Sequence, residues 1–395
     1  MRLPGRRRRA QLALAGLAVA LLATSTGPAT SAAAGPAPPD PLREQVAAIH
    51  ATGVVGVAAE TAAPGARATA RAGTARADGP GPMPADGRFR IGSATKTFTA
   101  TVVLQLVGEG RLSLDDTVER WLPGVVRGNG HDGDRITVRQ LLRHTSGIPD
   151  ALPEIPALNS AEGYRAERFR SHTPEELVAL ALRQPPAFPP DTDWSYSNTN
   201  YLLAAMIVEE VTGRSWAGEV NDRIIRPLGL ADTSAPGTFP FLTGPHAHTY
   251  SAFGADPGAG TGPGTDVTVL NASMAVGAGS LISTTHDLNR FYGALLGGRL
   301  LAPEQLAAMT DTVPAPEIGL PGVRYGLGLG EIPLSCGGGY YGHPGELLGA
   351  RSWSGVTPDG TRTAVVYATS DGGQDTTEAM TALVDQQLCG TSDGT

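Results

Sequence analysis

The sequence predicts an α+β fold: one antiparallel sheet built from both ends of the chain and flanked by helices, with a helical region over roughly residues 110–310 inserted between its halves. Two observations predict it. Short extended segments cluster near the start (53–60, 66–73 and 89–92) and return from residue 323 onward. Between them, apolar residues recur at the helical period. A third observation narrows the field. No Gly-x-Gly-x-x-Gly follows a strand and no phosphate-binding Gly-rich loop ending in Gly-Lys-Ser/Thr occurs, so a nucleotide-binding fold has no support.

The elements follow in chain order. The first nine residues, MRLPGRRRR, hold five arginines, and AQLALAGLAVALLATST follows them. With Ala32, Ala33 and Ala34 after that run, residues 1–34 read as a secretory signal peptide, with room for a twin-arginine route. The expectation is a secreted, extracellular protein with no stable membrane span after cleavage, a mature chain of residues 35–395, and a loose Ala/Pro-rich arm leading to Pro41. GVVGVAAE and ARATARAG are strands joined by a Pro-Gly turn. From Ser93 the chain is helical, with Ala100, Val103, Leu104 and Val107 on one stripe and Gly108 and Gly110 at its end. RLSLDDTVERWLPG reads as a short amphipathic segment. ITVRQLLRHTSGIPD reads as a helix capped by Thr137 and stopped at Ser146-Gly147. Helices follow at 172–184, 200–211 and 216–225, then a Gly-rich loop at 251–266 and two more helices. YGLGLGEI, GARSWSGV and TRTAVVYATS are strands, and TTEAMTALVDQQLC closes the chain as a helix.

Composition bounds the function. The chain has 395 residues, 41% of them hydrophobic, which is enough for a sizeable core. Its net charge is -8, and losing the five arginines of the leader takes it to -13. An acidic exported protein with no basic run is a poor nucleic-acid binder. The two cysteines, Cys336 and Cys389, read as a disulfide in that setting, tying the segment before GGGYYGHPG to the last helix.

Three short motifs carry chemistry. Ser93 and Lys96 lie one helical turn apart, so both leave the same face. A serine needs a base to become a nucleophile, and a lysine serves if a dry site lowers its pKa. The bland alternative is an N-cap serine with a surface lysine. Tyr196 and Asn198 precede an apolar helix. The phenol could share a proton with Ser93 and Lys96, and the amide could orient Lys96 or hold a substrate carbonyl. The alternative is a buried tyrosine with Asn198 as a helix cap. His343, Pro344 and Gly345 open an edge strand, where Gly345 lets a ligand approach the backbone. A structural histidine is the alternative there.

Ser93-Ala94-Thr95-Lys96, Tyr196-Ser197-Asn198 and His343-Pro344-Gly345 occur in that order. With ITVRQ, LLRHTSGIPD, YGLGLG and the LSCG and CG near the C-terminus, the chain from about residue 42 to 390 resembles the serine penicillin-recognising family, which includes penicillin-binding proteins and β-lactamases. The motif forms are similar to the class C β-lactamase and secreted actinobacterial D-alanyl-D-alanine carboxypeptidase branch. The resemblance implies a β-lactamase/transpeptidase-like fold over residues 35–395 and a two-step acyl transfer. Ser93 is the nucleophile it implies and Lys96 keeps Ser93 activated. Tyr196 relays a proton to the leaving group, helped electrostatically by His343. Asn198 binds substrate and holds Lys96. The amides of Ser93 and Glu346 form the oxyanion hole, and Arg324 helps receive a terminal carboxylate. The resemblance also implies no cofactor, no metal, a monomer, small peptide or peptidoglycan-type substrates, and acylation by β-lactams. His144, His246 and His248 are expected to be structural.

One departure matters. The carboxypeptidase pattern His-Thr-Gly-Thr is here His343-Pro344-Gly345-Glu346, without either hydroxyl. Glu346 places a like charge where a substrate carboxylate would sit. The expectation is a D-alanyl-D-alanine carboxypeptidase. The alternative is an esterase or D-amino-acid amidase on the same fold, and less so a β-lactamase or a non-catalytic binding protein.

Overall fold

The computed structural model describes residues 40–254 and 264–390. The leader assigned to residues 1–34 and most of the Gly-rich loop lie outside the described residues.

The chain enters through helix α1 (Pro41–Ala51), which the sequence reading did not anticipate. Its signals are local: Asp40 caps it by accepting from the amides of Leu42 and Arg43, and Pro41 occupies the first turn. Strands β1 (Gly56–Ala63) and β2 (Ala66–Gly73) form the expected hairpin. The buried middle supplies α2 (Thr95–Gly108), α3 (Val138–Arg143), α4 (Thr199–Thr212) and α5 (Thr285–Leu296). The C-terminal part supplies β3 (Val313–Pro314), β4 (Arg324–Tyr325), β5 (Gly330–Pro333), β6 (Gly339–Gly342), β7 (Pro344–Leu347), β8 (Ala350–Val356), β9 (Thr363–Ala368) and α6 (Gln374–Cys389).

These strands make one nine-stranded sheet in the order β2-β1-β9-β8-β6-β5-β4-β3, with β7 also on β8. The pairings are antiparallel, and β1 meets β9 with Val57 opposite Ala368. The two ends of the chain therefore join inside the sheet, between its second and third strands. Strand β9 reads TAVVYA with every residue buried, because both of its faces are covered. Ala364, Val366 and Ala368 face α1 and α6, packing with Ile49, Leu383 and Val384. Val365 and Tyr367 face the other way, into the core that holds α2, α4 and α5.

Two sequence expectations need adjustment. Of residues 111–124 only Val118–Trp121 forms a helical turn. The helix expected over 216–225 passes from α to π geometry at Asn221. Cys336 and Cys389 form the expected disulfide, which clips the turn between β5 and β6 to the end of α6.

Candidate active site

Ser93 does not sit inside α2. It stands in a 3-10 turn, Gly92–Ala94, that feeds the helix. Gly92 has φ of 50° and runs against β7: a Cβ there would lie 2.5 Å from the amide nitrogen of Glu346. Gly345 is held as tightly, since a Cβ on it would come within 2.2 Å of the Ile91 carbonyl oxygen. The two glycines let the serine turn and the edge strand lie side by side, with the opening amides of a helix beside the backbone of Glu346.

Lys96 is fully buried within α2, a helix whose first three turns are enclosed on all sides. Its Nζ lies 3.1 Å from Ser93 Oγ, 2.6 Å from Asn198 Oδ1 and 2.9 Å from the Ala278 carbonyl oxygen. Burial lowers its pKa to about 7, against a smaller upward pull from Asp150. The three partners give that value a geometry. A neutral amine has two N–H groups and one lone pair. Asn198 Oδ1 and the Ala278 carbonyl can only accept, so they take the two hydrogens and the lone pair faces the Ser93 hydroxyl.

Tyr196 lies beside the Lys96 side chain, with Nζ 4.7 Å from its ring centroid. Burial raises the phenol above its ordinary value, and the nearby Ser93 hydroxyl pulls it back in part. At neutral pH the pair is therefore an intact phenol and a half-neutralised lysine, so Lys96 could accept a proton and Tyr196 could supply one.

Asn198 does not cap α4 with its side chain. Its Nδ2 donates to Asp150 Oδ2 at 2.8 Å, and its backbone N–H donates to Asp150 Oδ1 at 3.2 Å. Asp150 is a residue of this cluster that the sequence reading did not single out. It ends the HTSGIPD stretch and orients the amide that holds Lys96. Burial raises its carboxyl above the ordinary range, opposed by these hydrogen bonds and by Lys96. His144 is fully buried. It closes α3 in the left-handed conformation (φ 63°), and its ring packs at a tilt against that of Tyr196 with 4.4 Å between centroids. Its Nδ1 accepts from the Ser197 amide. His246 contacts the Gly244 carbonyl oxygen and His248 pairs with Asp266, away from Ser93.

His343 faces the site, but not as a cation. Burial, then the nearby Lys96, lower its pKa to about 3. Its Nδ1–H donates to the Pro344 carbonyl, which leaves Nε2 to accept from the Tyr325 hydroxyl at 2.9 Å. His343, just before β7, thus meets Tyr325 of β4 through a neutral hydrogen bond. Arg324 also needs correction: it does not line the cavity beside Ser93. Neighbours on a strand face opposite ways, so burying Tyr325 turns Arg324 outward onto Thr312 and Glu331.

A cavity of about 330 Å³ opens beside Ser93, Tyr196 and His343, walled by Ile318, Val323, Ile332 and Trp353. Glu346 lines it too, and its carboxylate accepts from Arg351 Nη2 at 3.2 Å, the residue directly opposite on β8. Glu317, unread in the sequence, supplies a second carboxylate. No lysine or arginine lines this cavity. No cluster of acidic, histidine or cysteine side chains suited to a metal occurs among the described residues. No described helix is long and apolar enough to cross a membrane.

Comparison with known proteins agrees with this geometry. The Beta-lactamase family model matches residues 42–388. Among solved structures, a D-stereospecific amidohydrolase from Streptomyces sp. is 44% identical with a TM-score of 0.79, covering 87% of this chain and 98% of that one. The D-amino acid amidase from Ochrobactrum anthropi SV3 is 30% identical with a TM-score of 0.74, covering 87% and 94%. Among curated proteins, Penicillin-binding protein 4* of Bacillus subtilis is 32% identical over 157 residues, 38% of this chain and 31% of that protein. Penicillin-binding protein 4 of Amycolatopsis lactamdurans is 36% identical over 145 residues, 37% and 35% respectively. The matched stretch spans about a third of each of these two curated relatives. Fold and relatives together define a member of the penicillin-recognising serine hydrolase superfamily. Within it, the chain belongs to the Beta-lactamase family.

Proposed function

We propose that this protein is a serine-type D-stereospecific amidohydrolase, cleaving D-aminoacyl amides and peptides through an acyl-enzyme on Ser93. The observation that carries the substrate is the charge of the cavity: two carboxylates line it and no lysine or arginine does. A D-alanyl-D-alanine carboxypeptidase must hold a free carboxylate in that place, and the expected holder, Arg324, points elsewhere. The amidase alternative is therefore preferred over the carboxypeptidase. The D configuration follows the Streptomyces D-stereospecific amidohydrolase and the Ochrobactrum D-amino acid amidase, which align over nearly their whole lengths.

In the proposed reaction, Ser93 Oγ attacks the amide carbonyl as its proton passes to the Lys96 lone pair. The amides of Ser93 and Glu346 stabilise the oxyanion. The C–N bond breaks as Tyr196 gives its proton to the departing nitrogen, and the Lys96 ammonium restores the phenol. Water then attacks the acyl carbon, losing a proton to the regenerated base, and the ester C–O bond breaks as Lys96 returns that proton to Ser93 Oγ. The same cavity receives the carboxylate of a β-lactam poorly, so acylation by these drugs is slow under this reading.

The test compares kcat/KM on D- and L-phenylalanine p-nitroanilide and on an N-acyl-D-Ala-D-Ala peptide. The expected result is a preference of about 100-fold or more for the D-anilide over both others, and a loss of about 10³-fold in Ser93→Ala. Faster release of D-alanine from the peptide overturns the reading.

A further inference from the structure

The cavity beside Ser93 is larger than simple amide hydrolysis requires. Ammonia as leaving group fills little of about 330 Å³, and the apolar walls offer it nothing. Which side of Ser93 the cavity serves can be read from Glu317. Its Oε2 accepts from the Tyr196 backbone N–H at 3.1 Å and from the Ser195 hydroxyl at 3.2 Å. This ties the carboxylate to the stretch of cavity wall that carries Tyr196. Tyr196 protonates the departing amine in the proposed reaction, so the cavity lies on the leaving-group side.

The two cavity carboxylates are not equivalent. Glu346 is paired with Arg351, whose other nitrogen is held by Thr377. Glu317 makes no ion pair among the described residues, and its hydrogen-bond donors are neutral. It is thus a carboxylate without an ion-pair partner, exposed at the rim of an apolar pocket, where salt screens it in part.

We propose that Glu317 sets the charge selectivity of a leaving-group pocket. The pocket takes an apolar amine component, such as the second residue of a D-aminoacyl peptide, whose far end is neutral or cationic. It rejects the same component when it ends in a free carboxylate. This inference rests on the amidohydrolase reading above and adds to it the chemistry of the departing half.

The test holds the acyl half constant and varies the rest. D-Phe-Leu-amide and D-Phe-Leu with a free carboxylate are compared as substrates of the wild type, Glu317→Gln and Glu317→Lys. D-Phe-amide serves as the reference that does not enter the pocket. In the wild type kcat/KM for the amidated dipeptide exceeds that for the free acid by about tenfold or more, and added salt compresses the ratio. The ratio falls towards one in Glu317→Gln and inverts in Glu317→Lys. Using the ratio cancels any effect of Glu317 on Tyr196 that both dipeptides share. An unchanged ratio in both variants, or equal rates in the wild type, overturns the inference while leaving the hydrolase reading intact. No turnover of any of the three substrates overturns both.

Discussion

At the scale of single residues, the site weakens the hold of one lysine on its proton. Burial by α2 and its neighbours brings the pKa of Lys96 down to about 7, and Asp150 limits how far it falls. Acylation needs the unprotonated amine, so kcat/KM on a D-aminoacyl amide rises with pH and levels off above a midpoint near about 7. Replacing Asp150 with Asn removes the charge that favours the ammonium, so the midpoint moves to lower pH, read from the same pH–rate profile. His343 stays neutral down to about pH 3 and contributes no step to that profile. Ser93, Lys96, Tyr196 and Asn198 were legible in the sequence because short motifs preserve their spacing. Asp150 and Glu317 were not. Their partners, Asn198 and the Tyr196 amide, lie 48 and 121 residues away along the chain, and no local pattern marks such contacts.

At the scale of elements, catalysis depends on the fit between the Gly92–Ala94 turn and β7. Gly345 lies where a methyl group would strike both the Ile91 carbonyl oxygen and Ser352 Oγ, the latter at 2.4 Å. Gly345→Ala therefore pushes β7 away from Ser93. The expected cost is about 1–3 kcal/mol of stability by denaturant unfolding, together with a lower kcat, since the Glu346 amide moves with the strand. The hairpin β1-β2 and the buried central helices followed from periodicity and turn residues alone. Strand β6 was hidden by glycines, because GGGYYG reads as loop until its pairing with β5 is known. The orientation of Arg324 was hidden as well, since strand alternation becomes decisive only once Tyr325 is known to be the buried neighbour.

At the scale of the whole molecule, the sheet unites the two ends of the chain, and the site lies where the central helices meet its edge strand. The Tyr196 motif comes from the helical region, the Ser93 motif from the turn and helix that precede it, and the His343 motif from the sheet, so no part of the chain holds the site alone. Antiparallel strands at both termini with helices between were readable from pattern, and the pairing of β1 with β9 completes that reading. What pattern could not give was the substrate, because the charge of the cavity depends on which side chains reach it and which turn away. The claim on which the rest depends is that Ser93 carries a D-aminoacyl group during turnover. Acid quenching in the steady state with D-phenylalanine methyl ester, followed by peptide mass analysis, tests it directly. The expected result is a D-phenylalanyl adduct on the peptide containing Ser93, missing with the L-ester and in Ser93→Ala. An adduct on another residue, equal labelling by the L-ester, or ester turnover that survives Ser93→Ala would contradict it.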